Sequence, residues 1–311
     1  MWISFSARYL VNVEDLNNVE SAGNYVRHRR APLVFKESGS YSITYAPAVS
    51  GEMIAHSYQM NLVELALQRK LPVDNLAKQG IFIKRGADDK VHEGTNCSDK
   101  NGADYELCVI EEDIVEDVAG FMNPNKLVKR TSNIAFSYMI PALDAIKAST
   151  ISSQFHVRYA SKEMIDKYKD DNIQSLYNIE TASALYVLTG YLNLGGVGRT
   201  QNYPVKEVKD KKEREKVALD SLMITLTQLL FGAKQTRFKP IGEIEALFVS
   251  ASEKPFNLPP INYDINKYVD LVNSTAKSFA KALGISEPII KYYIKEGNGN
   301  AKTPVDVFIL S

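Results

Sequence analysis

The residues of this chain that could do chemistry are basic and amide side chains, spread over several short segments. The longest such segment is Asn12 to Arg30, rich in asparagine at its start (Asn12, Asn17, Asn18, Asn24) and ending in Arg27, His28, Arg29 and Arg30. Guanidinium forks and side-chain amides bond phosphate oxygens, and Gly23 would let the backbone approach a ligand closely. A second segment is Ser50-Gly51-Glu52, with His56 one turn on. Free N–H groups at a helix start favour an anion, although a capped helix with an exposed histidine fits as well. The others are Lys126, Lys129, Arg130, Thr131 and Ser132; the alternating Gln154, His156 and Arg158; and Gly232-Ala233-Lys234-Gln235-Thr236-Arg237. Each has a plainer reading: a solvated loop, a sheet-surface histidine, or cations that complement a helix C-terminus.

Other chemistries lack their residues. There is no phosphate-binding Gly-x-x-x-x-Gly-Lys-Ser/Thr loop, no Gly-x-Ser-x-Gly elbow, and Gly195-Gly196-Val197-Gly198 has the wrong spacing for a dinucleotide fingerprint and reads as a turn. The four histidines, His28, His56, His92 and His156, stand far apart, and Cys97 and Cys108 are too few for a disulfide scaffold or a tetrahedral cysteine site. No metal, cofactor or catalytic residue is therefore expected. The acids Glu111, Glu112, Asp113, Glu116 and Asp117 read as a solvated face or a docking strip. With 37 Lys and Arg against 37 Asp and Glu, any polyanion must be met by local patches, not by a global field. No apolar run reaches the ~20 residues of a membrane helix, and the N-terminus opens directly on a strand pattern, so a cytoplasmic protein is expected.

The elements that must position these residues follow from periodicity. Ile3, Phe5, Ala7, Tyr9 and Val11 alternate with polar residues and predict a half-buried strand. Leu33–Phe35 and Tyr41–Tyr45 around Glu37-Ser38-Gly39-Ser40 predict a hairpin, and 51–69 an amphipathic helix. Residues 72–108 read as irregular, Gly120 to Asn125 as a loop, and 134–140 as a strand. A further strand carries Phe155, Val157 and Tyr159 inward and His156 and Arg158 outward. Thr181 to Leu194 reads as a strand, Asp210-Lys211-Lys212-Glu213 as a capping box opening a helix stopped by Gly232, 244–249 as a strand, and 265–283 as a helix. Short strands near 288–294 and 305–309 close the chain. This order suits an α+β fold of the ferredoxin-like type, swollen by insertions.

Taken in order, Asn12–Arg30, Ala48-Val49-Ser50-Gly51-Glu52, Asp117 to Met122, Arg130-Thr131-Ser132, Gln154 to Arg158 and Gly232 to Arg237 resemble motifs of one family. It is the RAMP backbone subunit of type I Cascade, which binds CRISPR guide RNA, and the likeness is greatest to its archaeal type I-A branch. The resemblance implies a single elaborated domain over 1–311: a modified RRM-like palm, a finger insertion near 72–130 and a thumb near 158–177. It implies a non-enzymatic, sequence-independent RNA binder that oligomerises helically along the guide. Its partners would be guide RNA, copies of itself, other Cascade subunits and target DNA paired to the guide. Phe121 and Met122 would wedge against splayed bases, and Asn12, Asn24, Arg27, His28, Arg29, Arg30, Ser50, Gly51, His56, Lys129, Arg130, His156, Arg158, Lys234 and Arg237 would line the RNA. Two alternatives stay open. One is an endoribonuclease of the superfamily, for which Glu14, Asp15 and Glu20 offer acids in the loop after the first strand. The other is a nucleic-acid-binding regulator, although no basic recognition helix of a helix-turn-helix is visible.

Overall fold

The computed structural model describes residues 1–22, 24–86, 91–92, 97–158, 163, 167, 175–229, 231–232, 236 and 238–310. Its centre is an antiparallel sheet around β1 (Trp2–Glu14), which pairs on one side with β12 (Ile241–Ser252) and on the other with β11 (Ser175–Asn193). β13 (Ile289–Ile294) extends the sheet beyond β12. On the far edge β11 pairs in turn with β10 (Thr150–Arg158), β9 (Ile140–Pro141) and β8 (Ile134–Phe136), all antiparallel, and in parallel with β3 (Tyr25–His28). β2 (Asn18–Ala22) pairs with β3. Outside this sheet stand the hairpin of β4 (Arg30–Glu37) with β5 (Ser40–Pro47) and the small pair β6 (Phe121–Asn123) with β7 (Val128–Arg130).

Two helices cover one face of the sheet: α1 (Gly51–Gln68), directly after the hairpin, and α5 (Lys211–Gln228), between β11 and β12. Ile3, Phe5, Ala7 and Tyr9 point into the core beneath them, with Ile54, Tyr58 and Leu62 of α1 and Leu222 and Leu226 of α5. The alternation of β1 marks this face correctly, but its other face is not solvated. Ser4, Ser6 and Arg8 are buried too, because residues 253–285 fold back across the sheet and pack Phe256, Leu258 and α6 (Ile265–Leu283) on Phe248 and Val187. Ser4 Oγ meets Ser250 Oγ at 2.8 Å, and Arg8 is held by Asp144 at 3.1 Å and Glu245 at 2.5 Å. Ser4 and Ser250 satisfy one another there, a solution that periodicity cannot distinguish from exposure.

Other expectations need correction. Residues 72–108 are not wholly irregular: α2 (Asn75–Lys78) is capped by Asp74, and α3 (Gly102–Glu112) begins before the stretch ends. Gly120 to Asn125 holds the strand β6 and a turn of 3-10 helix instead of an open loop. The region near 305–309 is a 3-10 turn, Asp306–Phe308, not a strand. Asp210 makes no capping bond; its carboxylate accepts from Arg214 Nε at 2.8 Å. Helix α5 ends at Gln228, followed by the left-handed cap Leu229 (φ 53), ahead of Gly232. The charged stretch 161–174 lies almost wholly outside the described residues.

Candidate nucleic-acid interface

The register of β3, β11 and β10 decides which side chains share a surface. Tyr25 lies opposite Asn178, Phe155 opposite Asn178 from the other side, and Ser153 opposite Glu180. Paired residues point to the same face, so Tyr25, Arg27, Glu180, Ser153, Phe155 and Val157 share one. Phe155 and Val157 are 72% and 67% exposed there, the reverse of the inward packing expected from the sequence. Tyr25, Arg27, Arg30, Val19 and Tyr45 line an open concavity of about 570 Å³ on this side. The guanidinium of Arg27 lies 5.7 Å from the centre of the Tyr25 ring. Arg30 donates to Glu180 at 2.8 Å, as Tyr25 Oη does at 2.7 Å and the His28 backbone N–H at 3.0 Å. Burial raises the Glu180 carboxyl, but these donors outweigh it and hold its pKa below the ordinary value. One carboxylate thus fixes a tyrosine and an arginine at the rim of the concavity.

His28 borders the concavity, but its imidazole has no exposed surface there. It is 1% exposed, its Nε2 lies 2.8 Å from Glu14 Oε1, and its Nδ1 lies 2.8 Å from the Arg29 carbonyl oxygen. Burial disfavours the imidazolium, but the bond and charge of Glu14, with Arg29 O and Asp15, more than compensate, so its pKa is raised. Glu14 also accepts from Tyr186 Oη at 2.6 Å and the Leu16 N–H at 2.7 Å. The histidine of the basic run is therefore a structural tie between β1 and β3. Arg29 points elsewhere as well, donating to Tyr138 Oη at 3.3 Å.

The start of α1 is likewise spoken for. Ser50 is buried; its Oγ caps the helix through the Met53 N–H at 3.3 Å, and its own N–H donates to Asn17 Oδ1 at 2.8 Å. Gly51 is required because a Cβ would stand 2.4 Å from the Phe136 carbonyl oxygen: the glycine makes room for β8, not for a phosphate. His56 is exposed, edge-on to Phe82 at 5.1 Å.

The acidic run is not a solvated strip as a whole: Glu111 is exposed and Glu112 half-buried, but Asp113, Glu116 and Asp117 are buried. Asp113 caps α4 (Ile114–Ala119) by accepting from the Val115 and Glu116 N–H groups, and Glu116 pairs with buried Arg85 at 3.1 Å. Asp117, wholly buried, meets Arg130 at 2.5 Å and Arg214 at 3.2 Å and accepts from the Gly198 N–H at 2.9 Å. Arg130 has no exposed side-chain surface and also binds Glu106 at 2.7 Å and the Gly196 carbonyl at 3.1 Å. Expected as an RNA contact, it is instead the counter-ion that ties the insertion to the turn after β11. Phe121 is buried too, beside Tyr105 and Val128, so the wedge expected of it is closed. Met122 and Lys129, opposite one another on β6 and β7, are exposed.

His156 faces away from Phe155, stacked on Tyr177 at 5.2 Å and edge-on to Phe238 at 5.4 Å. Asn12 is half-buried on β1 beside Ile241, and Asn24 is exposed in the turn before β3. Arg158 ends β10; Lys234 and Arg237 lie outside the described residues. Sequence reasoning missed Glu180, Tyr25, Tyr45 and Phe155. Apolar alternation assigned Phe155 inward, and Glu180 acquires its role only from strand pairing.

Comparison with known proteins places these observations. The family model described as "CRISPR-associated negative auto-regulator DevR/Csa2" matches residues 5–273. The chain is 80% identical over 308 residues, 99% of its length and 97% of the relative's, to "CRISPR-associated protein Cas7/Csa2 1" of Saccharolobus solfataricus. It is 37% identical to "CRISPR-associated aCascade subunit Cas7/Csa2 2" of the same organism, over 96% of the chain and 92% of the relative. Among solved structures it shares its fold with a chain of a "CRISPR RNA-guided surveillance complex", at a TM-score of 0.51 and 8% identity, covering 99% of this chain and 97% of that one.

Proposed function

The chain belongs to the DevR/Csa2 family of CRISPR-associated proteins, and from that premise we propose that it is a guide-RNA-binding backbone subunit of an archaeal type I-A interference complex. It holds RNA by backbone and ribose, stacks on copies of itself along the guide, and meets the other Cascade subunits and the paired target DNA. The observation that carries the RNA reading is the exposed face shared by Arg27, Tyr25 and Phe155, with Arg30 and Tyr45 at its rim. Cations beside unsupported aromatic rings suit a flexible single strand, whose bases have free faces and whose phosphates pass close by. Such contacts read no base edge, so the guide stays free to pair.

A ferredoxin-like palm is supported by the order β12-β1-β11-β8 with α1 and α5 on one face, a strand-helix-strand repeated twice. A finger over 72–130 is supported by the separate small core of Cys97, Tyr105, Cys108, Val109, Phe121, Val128 and Val208. Lack of catalysis fits the first loop, where Glu14 and Asp15 are buried and Glu14 is engaged by His28 and Tyr186. The test is filter binding of labelled single-stranded RNA against duplex DNA, with magnesium in a parallel incubation. Tight RNA binding without fragments is expected. Regular fragments would make the protein a nuclease, and a preference for duplex DNA would make it a regulator.

A further inference from the structure

The insertion carries a feature that RNA binding does not use. Cys97 and Cys108 are joined as a disulfide, with Cα atoms 5.7 Å apart, inside the small core of the insertion. The stretch between α2 and α3, 79–101, holds no helix or strand among its described residues. Its described anchors include Phe82, packed against the main core, and Lys84, whose Nζ donates to Gln59 Oε1 at 3.2 Å. Arg85 is 2% exposed and reaches Glu112 at 2.9 Å and Glu116 at 3.1 Å; His92 lies against Asp74 at 3.4 Å; and Cys97 is bonded to α3. A core this small is the kind that a covalent staple secures.

The two cysteines are not equivalent. Cys97 has no exposed surface, while Cys108 is 5% exposed on α3. Arg85 Nη1 lies 3.6 Å from Cys97 Sγ. A thiolate leaving from Cys97 would form beside a guanidinium, and a departing thiolate leaves faster when its charge is stabilised. Attack from outside is therefore directed to Cys108, with Cys97 as the leaving group.

We propose that Cys97–Cys108 is a redox site that clasps the described residues 97–101 to α3 and is opened by a dithiol attacking at Cys108. One thiolate of the dithiol bonds to Cys108 Sγ, the S–S bond breaks, and the electron pair departs on Cys97 beside Arg85. The second dithiol sulfur, as thiolate, attacks the mixed disulfide and expels Cys108. The dithiol leaves as a cyclic disulfide, having lost two electrons; the protein gains those two electrons and, on protonation, two protons. Opening removes the covalent tie to α3 and leaves the Arg85 ion pairs with Glu112 and Glu116, while the sheet and its two helices, which share no residue with this small core, stay folded. Re-closure needs a two-electron oxidant of the small-molecule disulfide class.

The test uses the full chain and dithiothreitol. Denaturation in iodoacetamide without reductant should leave both cysteines unmodified; carboxamidomethylated cysteine, or zinc retained by the thiols with Glu112, overturns the proposal. After reduction and alkylation under native conditions, tryptic cleavage at Lys100 should quicken at least about tenfold, with the main melting transition retained. The Cys97→Ser/Cys108→Ser variant should match it without reductant. Unchanged cleavage in both overturns the clasp. A brief pulse of a bulky monothiol should leave its adduct on Cys108; an adduct on Cys97 overturns the assigned direction of attack.

Discussion

Glu14 and His28 meet 2.8 Å apart with no exposed side-chain surface on either, and their contact joins the end of β1 to the end of β3. The basic run at 27–30 is thereby split. Its histidine turns inward as a tie, Arg29 reaches Tyr138, and Arg27 and Arg30 are left to the rim. The pair has a signature in pH. The folded His28 pKa is raised, so its contribution is fully present below the unfolded value of about 6.5 and is lost as pH rises through the folded value. Melting followed from pH 6 to 9 should show stability falling over that window. His28→Gln should flatten the dependence and cost roughly 3 kcal/mol, because it strands a buried carboxylate. A variant as stable as the wild type, or a stability that rises with pH, would show that the imidazole is neutral.

Arg27 and Arg30 should account for part of the salt dependence of RNA binding. Each phosphate contact on a single strand contributes a slope of about 0.7 in log K against log salt, so Arg27→Ala with Arg30→Ala should flatten it by about 1.4. Loss should be equal for unrelated sequences. Arg29→Ala, whose side chain lies against Tyr138, should change the slope less. An unchanged slope in the double variant would remove the concavity from the RNA path.

Phe155 and His156 are neighbours in sequence with opposite prospects. Phe155→Ala removes an exposed ring and should weaken RNA binding by about 1–3 kcal/mol, the worth of one stacked base, with melting nearly unchanged. His156→Ala empties a place between Tyr177 and Phe238 and should lower the melting temperature instead. Titration and melting of both variants decide it; the reverse pairing of effects would restore the outward histidine.

That reversal marks the limit of what the chain discloses by itself. Long elements were legible: helix 265–283 has the predicted bounds, and helix 51–69 and the 33–45 hairpin fall within a few residues of theirs. Their apolar periods are sustained over many residues. Sidedness was not legible where both faces of a strand are apolar or where polar residues are buried in pairs. Ser4, Ser6 and Arg8 look solvated in sequence because nothing local reveals that residues 253–285 return over them. Arg130 and Asp117 look like surface charges for the same reason: a buried ion pair between residues thirteen apart has no periodic signal. Arg27 and Arg30 were legible as cations, but their carboxylate anchor Glu180, 150 residues from Arg30, was not.

The Asp117 network should behave as a structural unit. Asp117→Ala leaves Arg130 and Arg214 buried without their shared counter-ion and frees the Gly198 N–H. A loss of about 3–5 kcal/mol is expected in denaturant titration. Protein that remains folded should still bind RNA with the wild-type salt slope. A flattened slope with intact stability would return Arg130 to the interface.

The longest strand bears on assembly. β1 pairs with β11 from Ala182 to Asn193, whereas β10 pairs with it from Ser175 to Ser183, so its first seven residues run past β1 with β10 and the short β3 as neighbours. Two antiparallel strands leaving the sheet together form an arm, and Arg158 opposite Ser175 is its last described rung. The thumb proposed near 158–177 includes the sequence 161–174, whose charge leaves little to bury in its own subunit. Replacing 161–174 by a short Gly/Ser linker should leave β10, β11 and the core under α1 and α5 intact, because Glu163 and Lys167, the described residues of the deleted span, are exposed. The variant should bind short RNA weakly but fail to build large particles on guide-length RNA, since head-to-tail stacking needs an element that reaches the next copy. Sedimentation of both proteins with the same RNA checks it. Regular large assemblies from the variant would move the thumb to another segment, with 195–209 next to be replaced.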